Sequence, residues 1–201
     1  MRLVTNVGSD RVADIFRTLL QPGRSIDLVT PELSLFAFEE LRDGLAQIES
    51  CRLIIPSPDA DLKLLGTEND TTARNGFRQR WLAKSFINWL RSKAEIRIAS
   101  GAVLQGALVM RDSAQSPIGA AIGSLSLTTD GLGLTPGRSL SLIQCTESAD
   151  EAASLGQWFE NQWRTLPNED EKMDAVLHTL DNFASHKAPS LVYNLILHRL
   201  F

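Results

Sequence analysis

Cysteine is scarce in this chain, with two in 201 residues, Cys51 and Cys145, and tyrosine is scarcer still at one. Two thiols exclude a disulfide framework and a cysteine-built metal centre. Both are read as core thiols, a single bridge between them remaining open at this stage. The three histidines, His178, His186 and His198, lie near the C-terminus. No Cys, Asp or Glu joins them at a metal-ligand spacing, so they are read as surface or helix-end residues and no metal is expected. No apolar run approaches the roughly 20 residues that a membrane span requires. Met1 to Thr5 also lacks the charged start and apolar segment of a secretory signal. A cytoplasmic setting without a membrane partner, and no cofactor, are therefore expected. With 8 prolines, 13 glycines and 43% hydrophobic residues, the composition matches neither fibrous nor disordered chains. The formal net charge of −4 argues against a protein that coats nucleic acid, but it leaves room for a local basic face.

What is present has the rhythm of an α/β domain. Ser9 and Asp10 offer an N-cap, Val12, Ile15, Phe16, Leu19 and Leu20 follow at the spacing of one helical face, and Pro22-Gly23 ends that helix. Ser25 to Thr30 reads as a buried strand, and Ser34 to Ile48 as a helix with Phe38, Leu41, Leu45 and Ile48 inward. Cys51 to Ile55 is a strand stopped by Pro56, and Ser57 to Thr72 a surface loop. A helix from Ala73 to Leu90 buries Leu82, Phe86, Trp89 and Leu90. Short strands follow at Glu95 to Ala99, Ala107 to Arg111, Ile118 to Ser124 and Ser139 to Cys145. With no long helices between them, these strands predict antiparallel or mixed pairing. Ser148-x-x-Glu151 is a capping box for a helix reaching about Trp163. Asn168-x-x-Glu171 opens another, with Met173, Val176, Leu177, Leu180 and Phe183 in one stripe. Ser190 to Phe201 is apolar and helical in pattern, and its uncapped end is read as a sign that the polypeptide continues.

Chemistry concentrates in Leu104-Gln105-Gly106-Ala107-Leu108-Val109-Met110 and in Gly123-Ser124-Leu125-Ser126-Leu127-Thr128-Thr129-Asp130-Gly131-Leu132. This pair of segments resembles the signature of phospholipase D-like (HKD) domains, in which a strand reading L-H-G-K-A-Y precedes a strand and turn reading G-S-S-N-L-T-x-x-G-L. The nearest form is the one found at the N-terminus of bacterial helicases of the DEAD/DEAH type. The likeness extends upstream to the opening helix, Ile26 to Thr30, Phe36, Leu41 and Arg52 to Ile55. Downstream it runs through Trp158 and Trp163 to Tyr193, Leu197 and Phe201.

In active relatives the resemblance implies a histidine nucleophile, a lysine that neutralises phosphate oxygens, and an Asn and a Glu that orient them. The histidine position matches Gln105, the lysine Ala107, the Asn Ser126 and the Glu Ser139, while Gly123 and Ser124 keep the turn. All four chemical positions are changed. A carboxamide cannot be phosphorylated as imidazole is, and a methyl carries neither charge nor donor. The three histidines lie beyond the signature, so none can replace the nucleophile from the sheet. A serine-hydrolase role for Ser124 or Ser126 fails for want of a base and of a nucleophile elbow.

A second candidate is electrical. Between Arg74 and Arg97 seven bases (Arg74, Arg78, Arg80, Lys84, Arg91, Lys93 and Arg97) face one acid, Glu95, whereas eight acids between Glu147 and Asp174 face only Arg164 and Lys172. Such a stripe is a solvated helix face, a partner for acidic helices, or a row of phosphate contacts. Arg80, Lys84 and Arg91, with Trp81 beside them to stack on a base, are the nucleic-acid candidates.

The fold class expected is α/β, a mixed sheet flanked by helices, phospholipase D-like, with a helical C-terminal segment. Residues 1–166 form the α/β domain, and 167–201 a helical extension toward a helicase core. The function expected is that of a catalytically degenerate accessory domain of a helicase-like protein, engaging DNA or RNA or forming a homodimer. An active phosphodiesterase or nuclease, and a purely structural docking domain, are the alternatives.

Overall fold

The computed structural model describes residues 2–8, 10–57, 63–66, 76–135, 141–167 and 170–185, without the side chains of 76–79, 170–172 and 183. The elements of the described residues, in chain order, are β1 (Arg2–Val4), α1 (Val12–Leu19), β2 (Ser25–Val29), α2 (Leu35–Leu45), β3 (Ser50–Ile55), α3 (Gly76–Lys93), β4 (Ala94–Ile98), β5 (Gly106–Arg111), β6 (Pro117–Gly123), β7 (Ile143–Thr146), α4 (Ala149–Thr165) and α5 (Asp170–Ser185). The strands form one seven-stranded sheet in the order β1-β7-β6-β5-β2-β3-β4. Pairing is parallel across β2-β3-β4 and antiparallel from β2 through β5, β6 and β7 to β1. The mixed sheet expected from the closely spaced second-half strands is present.

The two faces of the sheet are covered unequally. On one, Ile26, Leu28, Leu53, Ile55, Leu108 and Met110 alternate inward from their strands and meet α1, α2, α3 and α5 in a single large core. Phe38 of α2 stacks on Phe86 of α3 at 4.6 Å, with Trp89 beside both. The Trp89 indole N–H donates to the Leu45 carbonyl at 2.9 Å. Among the described residues, the other face is covered by α4, through Phe159 and Trp163 over Val29, Ile54 and Ala107, and through Ala152 against Val109 and Ala120. Helix α5, placed by the sequence in a C-terminal extension, sets Val176, Leu177, Leu180 and Ala184 into the large core. No described helix is long and apolar enough to cross a membrane.

Several local expectations are corrected. Strand β1 was not foreseen: only Val4 of its three residues is buried, too short a run to show a period, and pairing with β7 defines it. Asp10 does not cap α1. It pairs with Arg2, and the Asn6 side-chain oxygen takes the Val12 N–H instead, at 2.9 Å. Ser34 does cap α2, accepting from the Phe36 N–H, but the helix stops at Leu45, where Trp89 captures a terminal carbonyl. Ser148 occupies the N-cap position of α4 without a side-chain bond. The strand expected from Ser139 is described only from Ile143, because its partner β6 ends at Gly123 opposite that residue. The segments at Asn168 and Ser190 to Phe201, the Phe183 side chain, and most of the loop after Ser57 lie outside the described residues. Both cysteines are buried free thiols, and burial pushes Cys51 up to about 12.

A charged cluster lies inside the α4 side. Asp27, 2% exposed in the middle of β2, receives the Arg52 guanidinium of β3 at 2.7 and 2.9 Å and the Arg111 Nε of β5 at 2.6 Å. Arg52 also lies over the Phe159 and Trp163 rings and donates to Glu160 at 2.9 Å. Removing the shared carboxylate would leave two guanidinium groups facing each other with little water, so Asp27→Ala is expected to lower unfolding free energy by about 3 kcal/mol. Urea denaturation at neutral pH measures this, and a loss below about 1 kcal/mol, the range of a surface pair, would contradict it.

Candidate functional site

One register row crosses all seven strands on the α4 face: Leu3, Gln144, Ile122, Ala107, Val29, Ile54 and Arg97 are successive cross-strand partners. Phe159 and Trp163 cover its Ala107, Val29 and Ile54 portion. At the edge of that cover, where β2 and β3 end and the segment Ala99–Gly106 leads into β5, a cavity of about 570 Å³ opens. Its floor is Val29, Ile54, Ala107 and Ile122, and its α4 wall is Trp158, Gln162, Thr165 and Leu166. The size falls within the range of small-molecule sites.

Gln105 and Ala107 both line this cavity, so the structure brings together the residues at the histidine and lysine positions. A lysine at Ala107 would stand up from the floor, whereas the methyl group leaves the space open. No described residue lining the cavity carries an ionisable side chain. Ser124 and Ser126 are not in the lining. Ser126 is buried, with its hydroxyl 2.9 Å from that of Thr128, inside the turn that leads to Gly131. Ser139 lies outside the described residues.

The conserved-looking character of the signature segments is structural here. Leu127 N–H donates to the Thr30 hydroxyl at 3.0 Å, and Leu127 C=O accepts from Ser34 N–H at 2.7 Å, so the turn is fastened beside the N-terminus of α2. Gly123 has φ of +139° against the Leu142 carbonyl, a conformation and approach that exclude a side chain.

Three bases of the stripe, Arg80, Lys93 and Arg97, are engaged within the fold. Lys93 donates to the Ile48 carbonyl at 2.9 Å. Arg97 lies 4.5 Å over the Trp163 ring and donates to the Trp163 and Leu166 carbonyls at the end of α4. Arg80 is half-buried and engaged. Trp81, 55% exposed, already has the Arg42 guanidinium 5.0 Å from its ring centre. Lys84 and Arg91 stay exposed. The side chains of Arg74 and Arg78 are outside the described set. His178 is exposed on α5 beside Asn182, and no group of three or more metal-ligating side chains occurs among the described residues.

Sequence reasoning missed the Asp27, Arg52, Arg111 and Glu160 cluster. Its signal was an aspartate inside an otherwise apolar strand, a residue type almost never buried without a partner. The Arg52 hydrogen bond, with help from Arg164, holds the Glu160 carboxyl below its ordinary range.

No protein-family model matches the chain, and no curated protein does. Solved structures do. Nuc of Salmonella typhimurium, a phospholipase D family member, shares 11% identity over 84% of this chain and 96% of its own, at a TM-score of 0.49. NucT from Helicobacter pylori shares 9% over 84% and 98%, at 0.53. The archaeal chromatin protein TrmBL2, whose structure shows a novel mode of DNA binding, shares 8% over 84% and 54%, at 0.47. At such identities the likeness is one of fold: the seven-stranded mixed sheet flanked by helices is the phospholipase D-like fold.

Gly106, at the start of β5, separates the two cavity residues, and a Cβ there would run into the Leu125 carbonyl. Gly106→Ala must push the signature turn away from β5, and a thermal melt is expected to fall by about 5 °C or more, as for a loss of about 2 kcal/mol. An unchanged melting temperature would show that the turn yields freely.

Proposed function

We propose that this chain is a phospholipase D-like module without hydrolytic activity, which uses the cavity-bearing end of its sheet as a contact surface for a second copy. The observation that carries this is the cavity: the space that would hold the reacting phosphate is lined, among the described residues, by carbon, hydroxyl and carboxamide groups. Phosphoryl transfer needs a nucleophile and cationic stabilisation of the developing charge. Neither Gln105 nor Ala107 supplies them, and the buried Ser126 hydroxyl is spent on its own turn. The Asp27 cluster is no substitute, because its guanidinium groups are committed to carboxylates.

The homodimer part of the proposal is supported by the uncovered half of the register row. Leu3, Leu104, Ile122, Leu142 and Trp158 are all exposed large apolar residues on or beside it. A single-sided sheet end of this kind is suited to the self-complementary contact of a two-fold dimer. Attachment to a helicase core in a bacterial cytoplasm rests on the motif resemblance. Nucleic-acid contact, as part of the same proposal, would run through Lys84 and Arg91, weakly and without base readout, since two exposed cations release few counterions.

Purified protein is expected to leave bis(p-nitrophenyl) phosphate and single-stranded DNA intact, with or without added divalent metal. Turnover abolished by Gln105→Ala would overturn the non-hydrolytic reading. In sedimentation, the protein is expected to show a dimer at tens of micromolar, a working range for weak association. Leu142→Asp should shift it to monomer. A wild-type monomer throughout that range, or a dimer indifferent to the substitution, would remove the self-contact.

A further inference from the structure

The cavity is uncharged, but it is not without recognition chemistry. Trp158, 41% exposed, stands in its wall, and Gln105 and Gln162, both exposed to solvent and without a side-chain hydrogen bond to any described residue, are among its lining residues. Ile122 and Trp158 are shared with a neighbouring depression of about 440 Å³, where Gln144 presents a third carboxamide. A carboxamide offers two donors and an acceptor in one plane.

We propose that this cavity is a binding site for a neutral, planar heteroaromatic ring of the nucleobase class, stacked on Trp158 and hydrogen-bonded at its edge by Gln105 and Gln162. Three features select this ligand class. The absence of ionisable lining side chains removes any compensation for desolvating an anion, which disfavours a free phosphate or carboxylate. The apolar floor of Val29, Ile54 and Ala107, with the indole in the wall, favours a flat ring, because an aromatic face gives stacking energy to any base. An alkyl chain would fill the same volume without engaging the donors and acceptors of the exposed Gln105 and Gln162 at the rim, which the edge of a heteroaromatic ring can meet. The change at the lysine position then acquires a role: the Ala107 methyl makes room on the floor for the ring.

The inference uses the same cavity as the proposed function, yet the two fail separately. Adenosine binding is silent about hydrolysis, and because Leu104, Ile122 and Trp158 belong to both the cavity and the proposed self-contact, the titration is run also on Leu142→Asp, whose altered residue lies outside the cavity lining. The test is calorimetric titration of the full chain with adenosine, and separately with adenosine 5′-monophosphate. Saturable adenosine binding is expected, on the order of 0.1–1 mM for a single small site. Trp158→Ala should weaken it about tenfold, the scale of one base–aromatic stack. Gln105→Ala and Gln162→Ala should each weaken it several-fold with the melting temperature unchanged. The monophosphate should bind no more tightly than the nucleoside. No saturation by about 10 mM adenosine, an affinity unchanged in all three variants, or a monophosphate more than tenfold tighter would overturn the proposal, the last by revealing a cation in the site.

Discussion

The buried carboxylate of Asp27 is the constraint around which the α4 side of the sheet is organised. It sits on the strand where parallel pairing with β3 gives way to antiparallel pairing with β5, and it takes an arginine from each neighbour. A charge this deep survives only if paired and hydrogen-bonded, so β3 and β5 must each place an arginine on this face beside it. Arg52 then reaches up to Glu160 and lies under the aromatic pair of α4, which fixes where that helix docks. The cavity is the space left beside Phe159 and Trp163 once that docking is set.

Arg97 completes the same arrangement from β4. Its guanidinium packs on Trp163 and holds the last carbonyls of α4, so a cation that looks like part of a surface stripe in sequence works as a helix clamp. Lys93 does the same for the carbonyl of Ile48. Two bases of the basic segment, Lys93 and Arg97, thus serve to fasten the fold. Residual charge at Lys84 and Arg91 is incidental to the cavity.

Fold and site were unequally legible in the sequence. Strong local periods gave the helices and the central strands, because a face of Leu82, Phe86, Trp89 and Leu90 admits one orientation. Boundaries and caps were less legible: whether Asp10 or Asn6 caps α1 depends on a contact between Asp10 and Arg2 that spacing does not encode. Of the motif residues, Gln105 and Ala107 line one cavity, whereas Ser126, grouped with them in the sequence, is folded away from the lining by its turn. The α4 wall, Trp158 and Gln162, was invisible because those residues join the site only through the docking that Asp27 and Arg52 impose. Within the pocket, sequence shows which residue types stand at Gln105 and Ala107. Only the three-dimensional lining shows that nothing charged among the described residues joins them.

The central proposal is that the pocket beside Gln105 and Ala107 is uncharged and holds no phosphate. Amide chemical-shift mapping with inorganic phosphate tests it most directly, since it reads occupancy at Gln105, Gly106 and Ala107 without requiring turnover. The account predicts no saturable shift at these three amides as phosphate is raised to about 10 mM at constant ionic strength, a concentration at which even a millimolar site would be mostly filled. A saturable response centred on them would mean that the pocket still holds the anion, and would contradict the account.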